Sequence, residues 1–288
     1  MKKKIIIIGG GISGLTAAIY LARYNFDVKV LNGYGYGSLS ESPLVENFPG
    51  FPDGVNGMTL LENMEKQAEK FGAEIIQTSV EKIDFKHSVA LDDCEEEFYY
   101  DALVIATGST PKRLECDGSN ECKNNIHYCA TCDGVLYKDK RVVVIGGGDT
   151  ALTEALHLSE LAKNVTMIVR RNQWRGTPKL VEKISCKSNV NFKMGSTIKK
   201  LEKNNKDIII SFNENDEKII ADGIFVSIGT NPNNNLFFDE YIKNNSQSHF
   251  NNVWICGDCL ENDYRQAIVS AGEGAKVAID VFKEFQEK

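Results

Sequence analysis

Residues 5–18 read IIIIGGGISGLTAA, and residues 142–155 read VVVIGGGDTALTEA. Each stretch joins a β-branched run, three glycines and an apolar pattern of helical period. This order is typical of a buried parallel strand, a tight turn and a helix. The two stretches lie 137 residues apart (146 − 9), counted from Gly9 to Gly146. A repeat of that length predicts two similar domains rather than a solenoid of short units.

The glycines of both stretches have the spacing of a dinucleotide fingerprint. The first is Gly9-x-Gly11-x-x-Gly14, and the second is Gly146-x-Gly148-x-x-Ala151, with alanine at the position that packs the helix on the strand. Such glycines let backbone N–H groups approach a pyrophosphate, which the positive end of the following helix attracts. The sequence therefore predicts two dinucleotide sites, with ligand-free glycine turns in an α/β fold as the alternative.

The end of the second strand of each repeat indicates which ribose it would bind. Asn32 stands where an acidic residue is expected after the first fingerprint, and it offers a hydrogen bond without a charge. After the second fingerprint come Arg170 and Arg171, with Arg175 close behind. Arginines at this place suit the 2′-phosphate of NADP, and a solvated basic loop is the alternative.

Composition and charge narrow the classes of protein. The chain has 288 residues, of which 42% are hydrophobic and 25% charged, as in an ordinary globular protein. Its net charge of −7 argues against nucleic acid as a partner. The apolar run Ile5–Ile8 is too short for a secretory signal or a membrane span, so we predict a cytoplasmic protein.

Coarser patterns predict a helix over 59–72, strands over 74–83 and 98–105, an exposed hairpin over 203–218 and a long helix over 265–285.

The chain has eight cysteines, and two pairs have the spacing C-x-x-C: Cys129/Cys132 and Cys256/Cys259. In a reducing compartment a close pair is more often catalytic or metal-binding than structural. The first pair closes a small ring whose disulfide opens readily, and Asp133 beside it is placed to relay protons. A structural disulfide, a helix-capping role for Asp133, and a zinc site shared with Cys256 and Cys259 are the alternatives. We predict no metal site.

The combination of motifs resembles the low-molecular-weight, bacterial-type thioredoxin reductases over nearly the whole chain. The motifs that carry the resemblance are GGGISG (9–14), VENFPG (45–50), ATG (106–108), CATCDG (129–134), GGGDTA (146–151), the arginines 170, 171 and 175, and Gly257-Asp258 followed by Arg265-Gln266-Ala267.

The resemblance implies an α/β fold of two Rossmann-like, three-layer dinucleotide-binding domains, the second inserted into the first. An FAD-binding domain would comprise residues 1–112 and 245–288, and an NADPH-binding domain residues 113–244. The resemblance implies these FAD-binding residues: Gly9, Gly11, Ser13, Gly14, Asn32, Ser38, Leu39, Asn47, Val80, Thr107, Gly108, Asp258, Arg265, Gln266 and Ala267. It implies these NADPH-binding residues: Gly146, Gly148, Asp149, Thr150, Ala151, Arg170, Arg171, Arg175 and Gly229.

The activity that the resemblance implies is a thioredoxin-disulfide reductase. NADPH would reduce FAD, and FAD would reduce the disulfide of Cys129 and Cys132, with Cys132 nearer the flavin. Cys129 would then attack the disulfide of thioredoxin or a similar small protein, with Asp133 as acid and base. The resemblance also implies a homodimer.

The chain departs from the family pattern at several of these positions. Ser38 replaces a glutamine that contacts the flavin, Asn32 replaces the acid, and Val169 replaces a histidine before the two arginines. Two rivals therefore stay open. One is a flavoprotein of the same fold that uses no pyridine nucleotide, either a dithiol oxidase or a ferredoxin-fed reductase. The other is a non-catalytic flavin-binding module that senses redox state.

Overall fold

The computed structural model describes residues 2–42, 44–204, 207–244, 247–260 and 265–286. The chain divides into unit 1, Met1–Thr110 with Asn231–Lys288, and unit 2, Pro111–Thr230. The return to unit 1 thus falls at residue 231, whereas the sequence predicts it at 245, a residue outside the described set. The difference has a physical cause, because Phe237 is only 2% exposed and belongs to an apolar core of unit 1.

Unit 1 is built on a mainly parallel sheet. Its strands are β1 (Lys4–Ile8), β2 (Asp27–Leu31), β3 (Glu74–Ile76), β7 (Ala102–Ile105), β18 (His249–Phe250) and β19 (Val253–Ile255), in the order β18-β19-β7-β1-β2-β3. In β1 the isoleucines point alternately to two apolar cores, so both faces of the sheet are covered. This explains why the strand is a continuous β-branched run.

Helices cover one face of this sheet and a small antiparallel sheet covers the other. The helices are α1 (Ile12–Arg23), α2 (Gly57–Lys70) and α7 (Ala267–Gln286), and the antiparallel strands are β4 (Val80–Asp84), β5 (Val89–Asp92) and β6 (Glu97–Tyr99). The predicted strand over 74–83 is therefore two strands, since β3 joins the parallel sheet and β4 the antiparallel one. The predicted strand over 98–105 divides between β6 and β7 for the same reason.

Unit 2 repeats this three-layer plan. Its parallel strands are β9 (Ile126–His127), β10 (Arg141–Ile145), β11 (Asn164–Val169), β12 (Val190–Met194) and β16 (Gly223–Val226), in the order β12-β11-β10-β16-β9. On the faces lie the helices α3 (Ala130–Asp133), α4 (Asp149–Ser159) and α5 (Pro178–Ser185), and the antiparallel strands β13 (Ile198–Asn204), β14 (Asp207–Phe212) and β15 (Lys218–Ala221).

The elements near the boundaries between unit 1 and unit 2 in the chain are short. The strands β8 (Ser109–Pro111) and β17 (Thr230–Pro232) pair with each other, and α6 (Phe238–Lys243) follows in unit 1. Short 3₁₀ turns span Ser38–Glu41, Lys123–Asn125 and Gly134–Tyr137. Of the described helices, none combines the length and the apolar character needed to cross a bilayer.

Candidate active site

Cys129 and Cys132 are joined by a disulfide whose S–S distance is 2.11 Å. Cys129 caps the N-terminus of α3, and the backbone N–H of Cys132 donates to its sulfur at 3.1 Å. Cys129 is 7% exposed, whereas Cys132 is exposed. The two sulfurs thus differ in environment, and their bond to each other leaves neither thiolate as a zinc ligand in this form.

Asp133 follows the second cysteine directly, and its carboxylate contacts a histidine that sequence reasoning missed. His127 Nδ1 lies 2.7 Å from Asp133 Oδ2, and His127 Nε2 lies 2.7 Å from the hydroxyl of Tyr137. The signal that could have found it is its position two residues before Cys129, at the end of a short strand-like pattern. Asp133 is therefore part of a network rather than an isolated helix cap.

The first glycine fingerprint has the geometry that a pyrophosphate needs. Gly9 has a positive φ of 104°, and a Cβ there would lie 2.3 Å from the carbonyl oxygen of Ala106. Gly14 permits close packing of α1, because a Cβ would lie 1.9 Å from the carbonyl oxygen of Gly9. Gly11 faces open space, with no heavy atom within 4 Å of a Cβ, and no described side chain caps α1 behind it. An uncapped helix N-terminus behind open glycine backbone fits an anionic ligand.

Most of the other predicted FAD residues lie near strand ends or helix starts of unit 1, and Asn47 lies in the loop before α2. Asn32 is buried with its side chain over Gly10, where a Cβ would lie 1.9 Å from its Oδ1. Asn47 Nδ2 donates to Gln266 Oε1 at 2.9 Å, and Ser270 donates to Asp258 Oδ1 at 3.2 Å. Ser13 is buried in α1, and Val80 is buried at the start of β4. Gly108 has a positive φ of 66°, and Ser38 and Leu39 begin a 3₁₀ turn. Arg265 lies two residues before Ala267, where α7 begins.

Thr107 is held by a residue that the sequence did not single out. Its hydroxyl donates to the carbonyl oxygen of Asn233 at 2.5 Å, and Asn233 Nδ2 donates back to the carbonyl oxygen of Thr107 at 2.9 Å. The two residues are 126 positions apart in the chain, so no local pattern could have paired them. This reciprocal pair fixes the Ala106–Gly108 turn at the end of β7.

The second fingerprint repeats the first at the N-terminus of α4. Gly146 has a positive φ of 146°, and a Cβ there would lie 2.3 Å from the carbonyl oxygen of Ser227. Gly148 faces open space and Ala151 is fully buried. Asp149 Oδ1 accepts a hydrogen bond from the backbone of Thr177 at 2.6 Å, and Thr150 is exposed. The open backbone at Gly148 again fits a pyrophosphate.

The predicted phosphate-binding arginines are exposed after β11. Arg170 and Arg171 follow the strand directly, and the backbone N–H of Arg175 donates to the carbonyl oxygen of Gly147 at 2.8 Å. That bond ties the basic loop to the fingerprint turn. Gly229, with a positive φ of 105°, accepts a hydrogen bond from Lys112 at 2.8 Å. Three exposed arginines on a loop whose backbone is bonded to this turn suit a phosphate.

The second C-x-x-C pair has a different environment. Cys256 and Cys259 carry free thiols and are only 2% and 1% exposed. The Cys259 thiol donates to the carbonyl oxygen of Cys256 at 3.2 Å. Burial raises the pKa of Cys259 to about 11 and that of Cys256 well above its usual value, so neither is a thiolate near neutral pH. The four remaining cysteines, 94, 116, 122 and 186, are also free.

Two folds with the geometry of dinucleotide sites, together with a disulfide at the start of a helix, define a dinucleotide-linked disulfide oxidoreductase. Sequence comparison matches residues 3–274 to the family described as pyridine nucleotide-disulphide oxidoreductase. The chain is 34% identical to the thioredoxin reductase of Streptomyces clavuligerus, over 96% of this chain and 92% of that protein. It is 32% identical to the thioredoxin reductase of Neurospora crassa, over 100% of this chain and 95% of that protein.

Comparison of structures gives the same result. The crystal structure of Lactococcus lactis thioredoxin reductase in its FR conformation matches with a TM-score of 0.91 and 26% identity, over 100% of both chains. The chain belongs to the pyridine nucleotide-disulphide oxidoreductase family and, within it, to the thioredoxin reductases. It is thus an α/β flavoenzyme of the thioredoxin-disulfide reductase type that uses FAD and NADPH. The predictions of family, fold class, enzyme class and cofactors are confirmed.

Proposed function

We propose that this chain passes electrons from NADPH through FAD to the Cys129–Cys132 disulfide and on to the disulfide of thioredoxin or a similar small protein. The observation that carries the proposal is the disulfide itself, with one buried and one exposed cysteine at the start of α3. Val135 and Leu136 follow it and are 64% and 59% exposed. Exposed apolar side chains beside a reactive pair suit a protein substrate.

We propose that unit 1 is the FAD domain and unit 2 the NADPH domain. In unit 1 the open backbone at Gly11 and the uncapped start of α1 would hold the FAD pyrophosphate, with Asn32 toward the ribose. The flavin and ribityl chain would contact Asn47, Thr107, Gly108, Asp258 and residues 265–267, and the backbone of Val80 would meet the adenine. In unit 2 Gly148 and the three arginines would hold NADPH. When bound, FAD relays two electrons from NADPH to the disulfide.

The reduced cysteines would then divide the exchange chemistry. The N–H of Cys132 donates to the Cys129 sulfur in the disulfide and would stabilise a thiolate there after reduction, which supports Cys129 as the sulfur that attacks the partner. Asp133 would donate the proton that the partner's leaving sulfur takes up. Cys132 would complete the exchange by attacking the mixed disulfide. The greater exposure of Cys132 favours the opposite order of attack, so the two variants below decide between them.

Trapping of the mixed disulfide tests the assignment of the two sulfurs. Cys132→Ser leaves the Cys129 thiolate without its resolving partner, so we expect a stable mixed disulfide with oxidised thioredoxin on a non-reducing gel. Cys129→Ser is the matched control and should trap far less. A stable adduct formed by Cys129→Ser alone would transfer the attacking role to Cys132.

Anaerobic titration tests the electron donor. We expect NADPH to bleach the flavin absorbance and to support reduction of thioredoxin, whereas NADH should do so poorly because it lacks the 2′-phosphate. A flavin that NADPH leaves oxidised, but that oxygen-linked dithiol oxidation or reduced ferredoxin turns over, would favour the rival without pyridine nucleotide. Bleaching with negligible turnover on any disulfide would favour the sensing module.

We also propose that the chain acts as a homodimer in the cytoplasm. The resemblance to the bacterial-type thioredoxin reductases supports both the dimer and the compartment. Light scattering of the FAD-loaded protein at micromolar concentration should give the mass of two chains. The mass of one chain would contradict this proposal without touching the chemistry of the site.

A further inference from the structure

His127 lies at the end of β9, enclosed by aromatic side chains of unit 2. Its ring stacks on Phe225 with centroids 5.2 Å apart and meets the Tyr137 ring edge-on at 5.1 Å. The His127 side chain is 11% exposed. The imidazole therefore has one defined position, set by the sheet beneath it and by the turn that follows α3.

Both ring nitrogens of His127 are within hydrogen-bond distance of a partner. An ionised carboxylate only accepts, so with Asp133 ionised Nδ1 carries a proton and donates to Oδ2 at 2.7 Å. In the neutral ring Nε2 is then an acceptor for the Tyr137 hydroxyl, also at 2.7 Å. Burial raises the pKa of Tyr137, which keeps that hydroxyl protonated and able to donate. The hydrogen bonds thus run in one direction, from Tyr137 through His127 to Asp133.

Tyr137 in turn has a fixed position. Its side chain is 6% exposed, and it rests against Gly223 at the start of β16. A Cβ at Gly223 would lie 2.3 Å from Tyr137 Cε1, so the glycine makes room for the ring. The position of the Asp133 carboxylate is therefore linked through two buried rings to the parallel sheet.

We propose that His127 is a positioning residue that directs the proton of Asp133 toward the leaving sulfur of the partner. With Nδ1–H bonded to Oδ2, a proton on the carboxyl group sits on the other oxygen, Oδ1, which His127 leaves free. His127 therefore sets both the orientation of the carboxyl group and the oxygen that carries the proton. The inference rests on the proposed function, in which Asp133 supplies that proton.

The exchange step balances with the groups already named. The Cys129 thiolate forms a bond to one sulfur of the partner disulfide, and the partner S–S bond breaks. Its electron pair goes to the second partner sulfur, which takes the proton from Oδ1 of Asp133. Asp133 is left as a carboxylate that still accepts from His127 Nδ1–H. Cys129 sulfur is oxidised and the leaving sulfur is reduced.

Changing the leaving group of the disulfide distinguishes a positioning role of His127 in proton transfer from a merely structural role. An alkyl thiolate is a poor leaving group and gains from a proton, whereas an aromatic thiolate of low pKa leaves without one. The test uses the FAD-loaded protein with its cysteine pair reduced, reacted in a single turnover with two probes. The probes are hydroxyethyl disulfide, which is alkyl, and dithiobis(nitrobenzoate), which is aromatic.

His127→Phe keeps a ring over Phe225 and removes both nitrogens. We expect it to lower the exchange rate with the alkyl disulfide about tenfold and to leave the rate with the aromatic disulfide within about twofold. His127→Asn, whose amide nitrogen replaces Nδ1, should exchange with the alkyl disulfide at a rate within about threefold of the wild-type rate. His127→Gln places its nitrogen toward Tyr137 instead and should behave like His127→Phe.

An equal loss with both probes, or no loss with the alkyl probe, would overturn the proposal. If His127→Phe fails to fold, as its circular dichroism and FAD content would reveal, the contrast between His127→Asn and His127→Gln decides in the same way. Neither probe is thioredoxin. A wild-type protein that exchanges with both probes but does not reduce thioredoxin would therefore contradict the proposed function and leave this inference open to the same test.

Discussion

The β-α-β repeats of the two units correspond residue by residue at a constant sequence offset. In unit 1 Lys4 pairs with Asp27, and in unit 2 Arg141 pairs with Asn164, an offset of 137 at both positions (141 − 4 and 164 − 27). Asn32 of unit 1 thus corresponds to Val169 of unit 2, and each lies against the second of three consecutive glycines, Gly10 and Gly147 respectively. The two repeats differ after this position, where FAD and NADPH require different contacts. Unit 1 has a buried amide, Asn32, and unit 2 has exposed arginines just beyond Val169.

The correspondence extends to the cysteine pairs. Leu103 in β7 pairs with Val253 in β19, and the equivalent Ile224 in β16 pairs with Ile126 in β9. Cys256 lies three residues after Val253, and Cys129 lies three residues after Ile126. Both C-x-x-C pairs therefore follow the same strand of the same fold.

The two pairs nevertheless differ in state. Cys129 and Cys132 form a disulfide with one exposed cysteine, while Cys256 and Cys259 are free thiols that burial keeps protonated. Equal spacing at equal positions thus gives different chemistry, and burial is the difference. Substitutions in the two cysteine pairs and in the fingerprint of unit 2 test this contrast.

Removal of a reactive cysteine should have the largest effect. Cys129→Ser and Cys132→Ser should each lower NADPH-dependent thioredoxin reduction by at least about three orders of magnitude, because the covalent route is lost. Cys256→Ser and Cys259→Ser are the matched controls and should keep the rate within about threefold, because their thiols are protonated and enclosed. Steady-state assays compare the four variants. If either control loses as much thioredoxin-reducing activity as Cys129→Ser, the two cysteine pairs do not differ in function.

The two fingerprint glycines of unit 2 should separate binding from folding. Gly148→Ala places a methyl group in space that only a ligand would enter, so we expect the KM for NADPH to rise about tenfold with stability unchanged. Gly146→Ala places it 2.3 Å from Ser227 O at a positive φ, so it should lower the free energy of unfolding by about 1–3 kcal/mol. Urea denaturation and KM measurements on both variants check this, and a destabilised Gly148→Ala would contradict it.

The arginines of unit 2 should discriminate between the nicotinamide dinucleotides. Arg170→Ala and Arg171→Ala should each raise the KM for NADPH about tenfold, because a charge-assisted hydrogen bond to phosphate contributes about 1.5–3 kcal/mol. The KM for NADH should stay unchanged in the same variants. Arg23→Ala, at the end of α1 in unit 1, serves as the control. Equal changes for both nucleotides would show that these side chains do not read the 2′-phosphate.

The buried thiols should make stability depend on pH. Cys259 titrates near 9.0 when unfolded and at about 11 when folded, so the folded chain holds the proton more tightly. Its contribution to stability is present below pH 9 and is lost as the pH rises toward 11, with a slope of up to about 1.4 kcal/mol per pH unit. Urea denaturation between pH 8 and pH 10.5 should show a shallower fall for Cys259→Ala than for the wild type. Equal slopes would mean that burial does not hold this proton.

The features that the sequence predicted are those with local causes. The strands β1 and β10 were predictable because parallel strands buried on both faces need continuous β-branched runs. The fingerprint turns were predictable because Gly9 and Gly146 have a positive φ that favours glycine. The arginines were predictable because they directly follow β11.

The features that escaped prediction depend on contacts distant in sequence. The return point at residue 231 depends on where Phe237 is buried, and the bond of Thr107 to Asn233 spans 126 positions. The contacts of His127 depend on how the turn after α3 folds back. The equivalence of the two cysteine pairs follows from which strands pair, and spacing alone carries no information about that.

Of the two equivalent cysteine pairs, we expect only Cys129 and Cys132 to take part in electron transfer, and anaerobic NADPH titration of the FAD-loaded protein measures this. Each two-electron centre consumes one equivalent of NADPH. We predict that the wild type, Cys256→Ser and Cys259→Ser each take up about two equivalents per chain, for the flavin and for one disulfide, and that Cys129→Ser takes up about one. An uptake of about two equivalents by Cys129→Ser, or a dependence of the second equivalent on Cys256 or Cys259, would contradict the account.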